Sequence, residues 1–316
     1  MPQRLLRFLS GLALCLLALS GTAQTPEIQV GIVRSQTSAP YLDATQALFN
    51  GLTRQGVSLN AVDVWSPAEL AALPGARLSS VKVWVALGTE AATALAQSRV
   101  KAPVLNALLP RSSFERVLRV SGRKASAGFN VLQLDQPMQR QLGLIRLALP
   151  KARRLGVVWG PDSLPKAAAL RSLASSQGLS LQEALLDDET SLFAALKSVL
   201  DSSDVLLALA DPLVFNSNNL QNILMTTIRV QVPLVAFSPA YVRAGALLAV
   251  YSTPPQVGDQ AAQWVLDVLA GRVLPEQPLK PLDFEISVNE QVARVLGLSF
   301  DVKALTLALR RQEAQR

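Results

Sequence analysis

Short apolar runs alternating with amphipathic stretches set the frame of this chain. Residues 28–33 (IQVGIV) are almost wholly apolar, as a strand buried on both faces should be. A helix is predicted from about Tyr41, with Pro40 suited to its start and Gly56 closing it. Residues 59–64 read as a second strand. Ser66-Pro67-Ala68-Glu69 then forms a capping box with proline at the first helical position. Residues 82–87 give a third strand, followed by a helix over 90–98. Residues 103–108 give a fourth strand, and 117–120 are taken as a fifth.

The rhythm then restarts. Met138, Leu142, Ile145 and Leu149 recur on one helical face. Strands are predicted at 155–159, 179–185, 204–210, 233–237 and 246–250. Helices are predicted at 164–177, along Phe193, Leu196, Val199 and Leu200, at 218–230, and along Val257 to Val268 up to Gly271. Strands alternating with helices imply an α/β fold of parallel sheets with helices on both faces. Two rounds of the pattern imply two Rossmann-like lobes. In open sheets of this kind a ligand sits beyond the carboxyl ends of the strands.

The first residues break the pattern. Arg4 and Arg7 precede an apolar stretch over 8–19, and the small residues Ser20-Gly21-Thr22-Ala23 follow. This reads as a signal peptide over 1–23, cut near Ala23, with the mature protein in the periplasm. The apolar stretch is too short to span a bilayer. Cys15, the single cysteine, lies in that leader, and Leu14 before it is a poor match to a lipidation site. The mature chain then holds no thiol, so neither a disulfide framework nor a cysteine–metal site is expected. Losing Arg4 and Arg7 takes the 30 basic residues to 28 against 23 acidic, and the net charge from +7 to +5. The basic residues are dispersed and not interleaved with aromatics. They read as a solvated face and not as a nucleic-acid surface.

Histidine is absent. A Ser-His-Asp triad, a histidine general base and an HExxH zinc site are therefore excluded. No GxxxxGK[ST] loop occurs, and no cofactor or metal is expected. A carboxylate-dependent hydrolase could draw on Asp43, Glu90 and Asp211, but no spacing brings two of them together.

The strand ends suit a ligand better. Gly88-Thr89-Glu90 opens a helix, with Thr89 as a possible cap and free N–H groups for an anion. Gly160-Pro161-Asp162-Ser163 holds the matching place in the second lobe. Asp211 ends a very apolar strand, where it could pair with an amine or cap its turn. Trp159, Phe237 and Tyr251 at strand ends could stack on a flat ligand or plug the sheet. The polar segment 35–40, with Gln36 and Thr37, follows the first strand in a loop suited to line a cleft.

From Gly128 onward the chain resembles the ABC-transporter substrate-binding proteins of the tryptophan- and tyrosine-binding kind, with the type I periplasmic-binding fold. The resemblance rests on "LGLIRLALPKARRLGVVWGPDS", "LLALADP", "VPLVAFSPAYVRAGALLAVYS", "GDQAAQWVLDVLAGR" and "FEISVNEQVARVLGLS". In the first half it rests on "VGIV", "LFNGLTRQG" and "VALGTEAATALA". It implies a multi-strand hinge crossed near Gly128, Tyr251 and Leu282. Lobe 1 would then hold 24–127 plus 252–282, and lobe 2 would hold 128–251 plus 283–316. The ligand-binding residues implied by position are Gln36, Thr37, Gly88, Thr89, Glu90, Trp159, Asp211, Ser238 and Tyr251, with none catalytic and none binding a metal. A monomer is implied, serving an ABC permease. Three departures stand out. Leu108-Leu109-Pro110 replaces a Thr-Asp-Pro-like turn, Pro212-Leu213 follows Asp211 where Asn-Thr is usual, and Tyr251-Ser252-Thr253-Pro254-Pro255 replaces a more polar, often Tyr-rich stretch.

The expected function is capture of a small molecule, amino-acid-like or aromatic and apolar, between two lobes for an importer. The alternative is a sensor module passing occupancy to a membrane signalling partner. A hydrolase ranks third.

Overall fold

The computed structural model describes residues 28–187 and 191–315. The expected leader and Cys15 lie outside the described residues. Two sheets carry the fold. The first has five parallel strands: β1 (Val30–Arg34), β2 (Val62–Trp65), β3 (Val83–Leu87), β4 (Val104–Leu109) and β5 (Phe129–Gln133), in the order β2-β1-β3-β4-β5. The second has six: β6 (Arg154–Trp159), β7 (Ser180–Leu185), β8 (Val205–Leu207), β9 (Leu234–Ala236), β10 (Leu248–Tyr251) and β11 (Glu285–Val288), in the order β11-β10-β9-β8-β6-β7. All pairings are parallel except β10 with β11, which is antiparallel. The α/β fold of two lobes is as the pattern implies.

Burial explains why the strands were readable. Val83 to Leu87 is buried throughout and carries no alternation, because helices cover both faces of the sheet. Ser66 and Glu69 form the expected capping box. Residues 59–61 are instead a short 3₁₀ turn before β2. The expected fifth strand at 117–120 lies inside the helix Arg111–Ser121. Phe114 and Val117 bury one face of that helix, and Gly122 ends it in the left-handed conformation. The true fifth strand is β5. It pairs with β4 in the first sheet, so the crossing expected near Gly128 falls after Gln133.

The chain passes between the lobes three times. It leaves the first sheet after β5. It returns after Tyr251 to form the helix Pro254–Leu269, which packs along Ala39–Arg54. It leaves again after Leu279, which bridges to Leu132, and enters β11. These two helices approach closely. A Cβ at Gly51 would lie 2.5 Å from Ala262 Cβ, and one at Gly258 would collide with the Ala44 carbonyl oxygen.

A buried guanidinium ties the crossings together. Arg140, on the helix Met138–Ala148, is 5 % exposed. Its Nε and Nη2 donate to Glu313 at 2.7 and 3.1 Å. Nη1 donates to Gln136 Oε1 at 2.8 Å and the Pro281 carbonyl at 3.0 Å, and Nη2 also donates to the Leu282 carbonyl at 3.1 Å. All five donors are thereby used. The plane also lies over the Phe284 ring, 4.5 Å from its centroid. Gln136 Nε2 continues the network to Ser252 Oγ at 3.0 Å, and Ser252 donates to the Asp283 carbonyl at 2.5 Å. Each crossing segment contributes at least one group. No described helix is long and apolar enough to cross a membrane.

Candidate functional site

At the carboxyl end of the first sheet, the loop after β1 meets the turn after β3. Gly88, with φ 92°, precedes the helix Thr89–Gln97 as its N-cap, so the cap is Gly88 and not Thr89. Ser35 supplies the capping oxygen from a distance in sequence, accepting from Ala91 N at 2.9 Å. A Cβ at Gly88 would sit 2.6 Å from Ser35 Oγ and 2.7 Å from Tyr41 Cε1, so only glycine suits both the conformation and the space. Gln36, Thr37, Thr89 and Glu90 all lie exposed around this turn. Burial, and then the charge of Glu90, push the Tyr41 hydroxyl above its ordinary value. These five predicted residues therefore form one group in the first lobe.

In the second lobe the predicted residues divide. Trp159 is buried in the sheet core, and its Nε1 donates to Glu183 Oε1 at 2.8 Å. Arg171 fixes Glu183 in turn, at 3.0 Å. Trp159 thus plugs the sheet. Asp211 is 2 % exposed. Its Oδ2 accepts from Ser163 N and Ser163 Oγ, both at 2.8 Å, and its Oδ1 accepts from Leu213 N at 3.0 Å. Asp211 therefore binds the loop after β6 to the turn after β8. Gly160 is required beside it, because a Cβ there would overlap the carboxylate.

Ser238 and Tyr251 do line a cavity. It encloses about 620 Å³ between the lobes. Pro110 and Arg111 wall it from the first lobe. The crossing segments contribute Leu134, Asp135, Gln136 and Ser252. From the second lobe come Met138, Lys166, Leu173, Ala208 to Ala210 and Phe237. A space of this size and mixed lining suits a small organic ligand. Phe237 is itself held by an aromatic cluster, 4.8 Å from Tyr241 and 6.2 Å from Phe215 between centroids. Tyr241 anchors the cluster by donating to the Phe215 carbonyl at 3.0 Å. The Tyr251 hydroxyl donates to Glu285 Oε2 at 3.3 Å. Burial and the nearby Glu285 charge raise its pKa.

Asp135 and Lys166 were not singled out from the sequence. They form an ion pair at 2.7 Å, with side chains 13 % and 18 % exposed. Asp135 Oδ2 also accepts from Arg111 N at 2.7 Å. The only trace in sequence is the polar Asp135-Gln136-Pro137 between two apolar elements. Arg116 meets Asp162 at 2.8 Å, joining the first-lobe helix Arg111–Ser121 to the loop after β6. β4 carries a register shift between Asn106 and Leu109, and Leu108 adopts φ 57° two residues before the cavity-lining Pro110. A non-glycine residue pays on the order of 1 kcal/mol for this conformation.

Comparison with known proteins places this geometry. The profile of the family described as ABC transporter substrate binding protein matches residues 69–310. A tyrosine-binding protein of Clostridioides difficile (strain R20291) is 23% identical over 185 residues, 57% of this chain. The matched stretch spans about half, 52%, of that relative's length. Among solved structures, the ligand-free, open form of a substrate binding protein with adhesive properties from Clostridium difficile superposes with a TM-score of 0.67. It is 19% identical and covers 86% of this chain and 96% of its own. An ABC domain from Streptococcus pneumonia in complex with L-Trp gives a TM-score of 0.56 at 15% identity, over 88% of this chain and 98% of its own. At these identities the likeness is one of fold.

Proposed function

The chain belongs to the ABC transporter substrate binding protein family, and from that premise we propose that it is the exported capturing component of an importer. A small aromatic or apolar molecule enters the cavity, the lobes bend about the crossing segments, and the closed form is offered to a membrane permease as a monomer. The observation that carries this reading is a cavity walled at once by both lobes and by the segments joining them. A ligand there gains contacts only if the lobes come together, so occupancy favours closure. The boundary we propose runs through residues 134–137, 252–253 and 280–284.

Within this reading Phe237 and Tyr251 supply flat apolar contact, and Ser238 supplies a hydroxyl beside them. Closure brings the exposed group of Gln36, Thr37, Gly88, Thr89 and Glu90 over the ligand. Trp159 and Asp211 act from behind, holding the two second-lobe loops in shape. The tyrosine-binding relative and the L-Trp complex support a ligand of aromatic amino-acid size.

Thermal denaturation against aromatic amino acids and aromatic carboxylic acids tests the proposal. A ligand at a hundred times its Kd stabilises the native state by about 2.7 kcal/mol. Phe237→Ala should abolish most of that gain. A melting temperature indifferent to the whole set would sink the capture reading.

A further inference from the structure

The charge in the cavity wall is one-sided. Arg111, Lys166 and Lys280 line it against a single lining acid, Asp135, while the Arg111 side chain is paired with Glu115 at 2.7 Å and Lys166 with Asp135 itself. That acid is engaged on both oxygens. Oδ1 accepts from Lys166 Nζ and Oδ2 from Arg111 N, each at 2.7 Å. Asp211, in the turn after β8, is 2 % exposed and has donors on both oxygens, and Glu285 accepts from the Tyr251 hydroxyl at 3.3 Å. The turn after β4 offers no acid either, since Leu108-Leu109-Pro110 stands there and Pro110 forms the wall. The remaining polar groups are hydroxyls and the amides of Gln133, Gln136, Gln139 and Gln141, which carry no charge to set against a cation, although Gln133 Oε1 is a buried acceptor without a partner among the described residues. On the cationic side, Lys280, an exposed residue of the wall, makes no ion pair among the described residues.

An α-ammonium brought into such a space leaves water without a counter-charge, and an unpaired buried cation is strongly unfavourable. A carboxylate gains a charge-assisted hydrogen bond from the one lysine of the wall that has no ion pair among the described residues. We infer, resting on the reading of this cavity as the ligand site, that the ligand is an apolar organic acid lacking a free amino group, an aryl- or alkyl-carboxylate. Lys280 is the residue that selects its charge. The acids able to reverse this are Glu285, beside the Tyr251 hydroxyl, and Glu90, exposed at the start of the helix Thr89–Gln97 in the first lobe, which would have to reach the ligand on closure.

Isothermal calorimetry on the mature chain at neutral pH separates these cases. Three probes share one ring and chain length: 3-phenylpropionate, L-phenylalanine and phenethylamine. The expected result is binding of the acid at least ten-fold tighter than the amino acid, and no heat from the amine. Lys280→Gln should weaken the acid by about ten-fold, as loss of a charge-assisted contact does. It should do so at an unchanged ligand-free melting temperature. Lys101→Gln, at an exposed lysine outside the cavity, should leave the affinity unaltered. If L-phenylalanine binds as tightly as the acid or tighter, the inference is overturned while the capture reading stands. If Lys280→Gln weakens the acid no more than Lys101→Gln does, the assignment of Lys280 is overturned. If no probe binds, and no aromatic acid or amino acid shifts the melting temperature, the cavity reading itself falls.

Discussion

Glu313→Gln is the substitution that most directly probes the tie between the crossings. Glutamine keeps the length and shape of the side chain, removes the charge, and replaces one acceptor oxygen by a donor facing Arg140. The Arg140 side chain is only 6 % exposed, and Glu313 supplies two of its five hydrogen bonds. Removing one partner of a fully buried pair costs 3–5 kcal/mol by general experience, about 4 in the middle. Two features lower the figure here. Glu313 is itself 29 % exposed, and the guanidinium keeps Gln136, two carbonyls and the Phe284 face. A loss of about 2 kcal/mol is expected, or about 4 °C in melting temperature for a chain of this length. The comparison is Asp259→Asn, which breaks the Arg54–Asp259 pair between two exposed side chains, 67 % and 52 %. That loss should stay within about 0.5 kcal/mol. Scanning calorimetry on both variants decides. If Glu313→Gln costs no more than Asp259→Asn, Arg140 does not depend on its carboxylate and the argument fails.

Three further outcomes follow from the packing and the charges. Gly258→Ala sets a methyl against the Ala44 carbonyl and, at 2.9 Å, Ala47 Cβ; a loss of about 2 kcal/mol is expected in urea denaturation, while Gly75→Ala, with open space around it, should be near neutral. Gly160→Ala displaces the Asp211 carboxylate from Ser163 and should weaken ligand binding measured by calorimetry, and an unchanged Kd would count against a role for that clasp. Asp204 is held below the usual carboxylate range chiefly by the Arg154 side chain, which outweighs the opposing effect of burial with help from the Arg153 and Arg154 N–H groups. Its stabilising contribution is therefore present above about pH 3.9 and lost as pH falls through the lower folded value. The melting-temperature gap between the parent chain and Asp204→Asn should be full at pH 7 and close in strong acid; a gap of equal size at both would refute it.

The parts of the fold legible in sequence are those where one short-range signal decides. β3, and β6 from Leu155 onward, read as strands because both faces are covered, so each of those positions is apolar or small. The helix at Pro67 reads from its cap alone. Residues 117–120 misled because two valines and a leucine look strand-like in a window of four. Phe114 and Val117 at helical spacing, and the stop at Gly122, carry the true signal. β5 was missed for the opposite reason, since Asn130 and Gln133 interrupt it. Asn130 is nonetheless buried, its amide donating to the Pro275 and Gln277 carbonyls some 145 residues away. The short helix Pro239–Ala244 also escaped, though Ser238-Pro239 is a plausible start for one. The site was legible as a set of strand ends, not as a set of contacts. Whether Trp159 faces a ligand or a core depends on Glu183, and the Asp135–Lys166 pair joins residues 31 apart with no pattern between them.

The return of Pro254–Leu269 onto Ala39–Arg54 also governs the order in which this protein can acquire its shape. Arg54 and Asp259, neighbours in the finished molecule, stand 205 positions apart along the chain. A ribosome adding 5–20 residues per second needs on the order of 10–40 s to span that distance. Throughout that interval Ala44, Leu48 and Leu52 lack the helix that covers them. That face of the first lobe is covered only after a long loop has closed. The core of the first lobe is thus completed by residues from the last quarter of the chain.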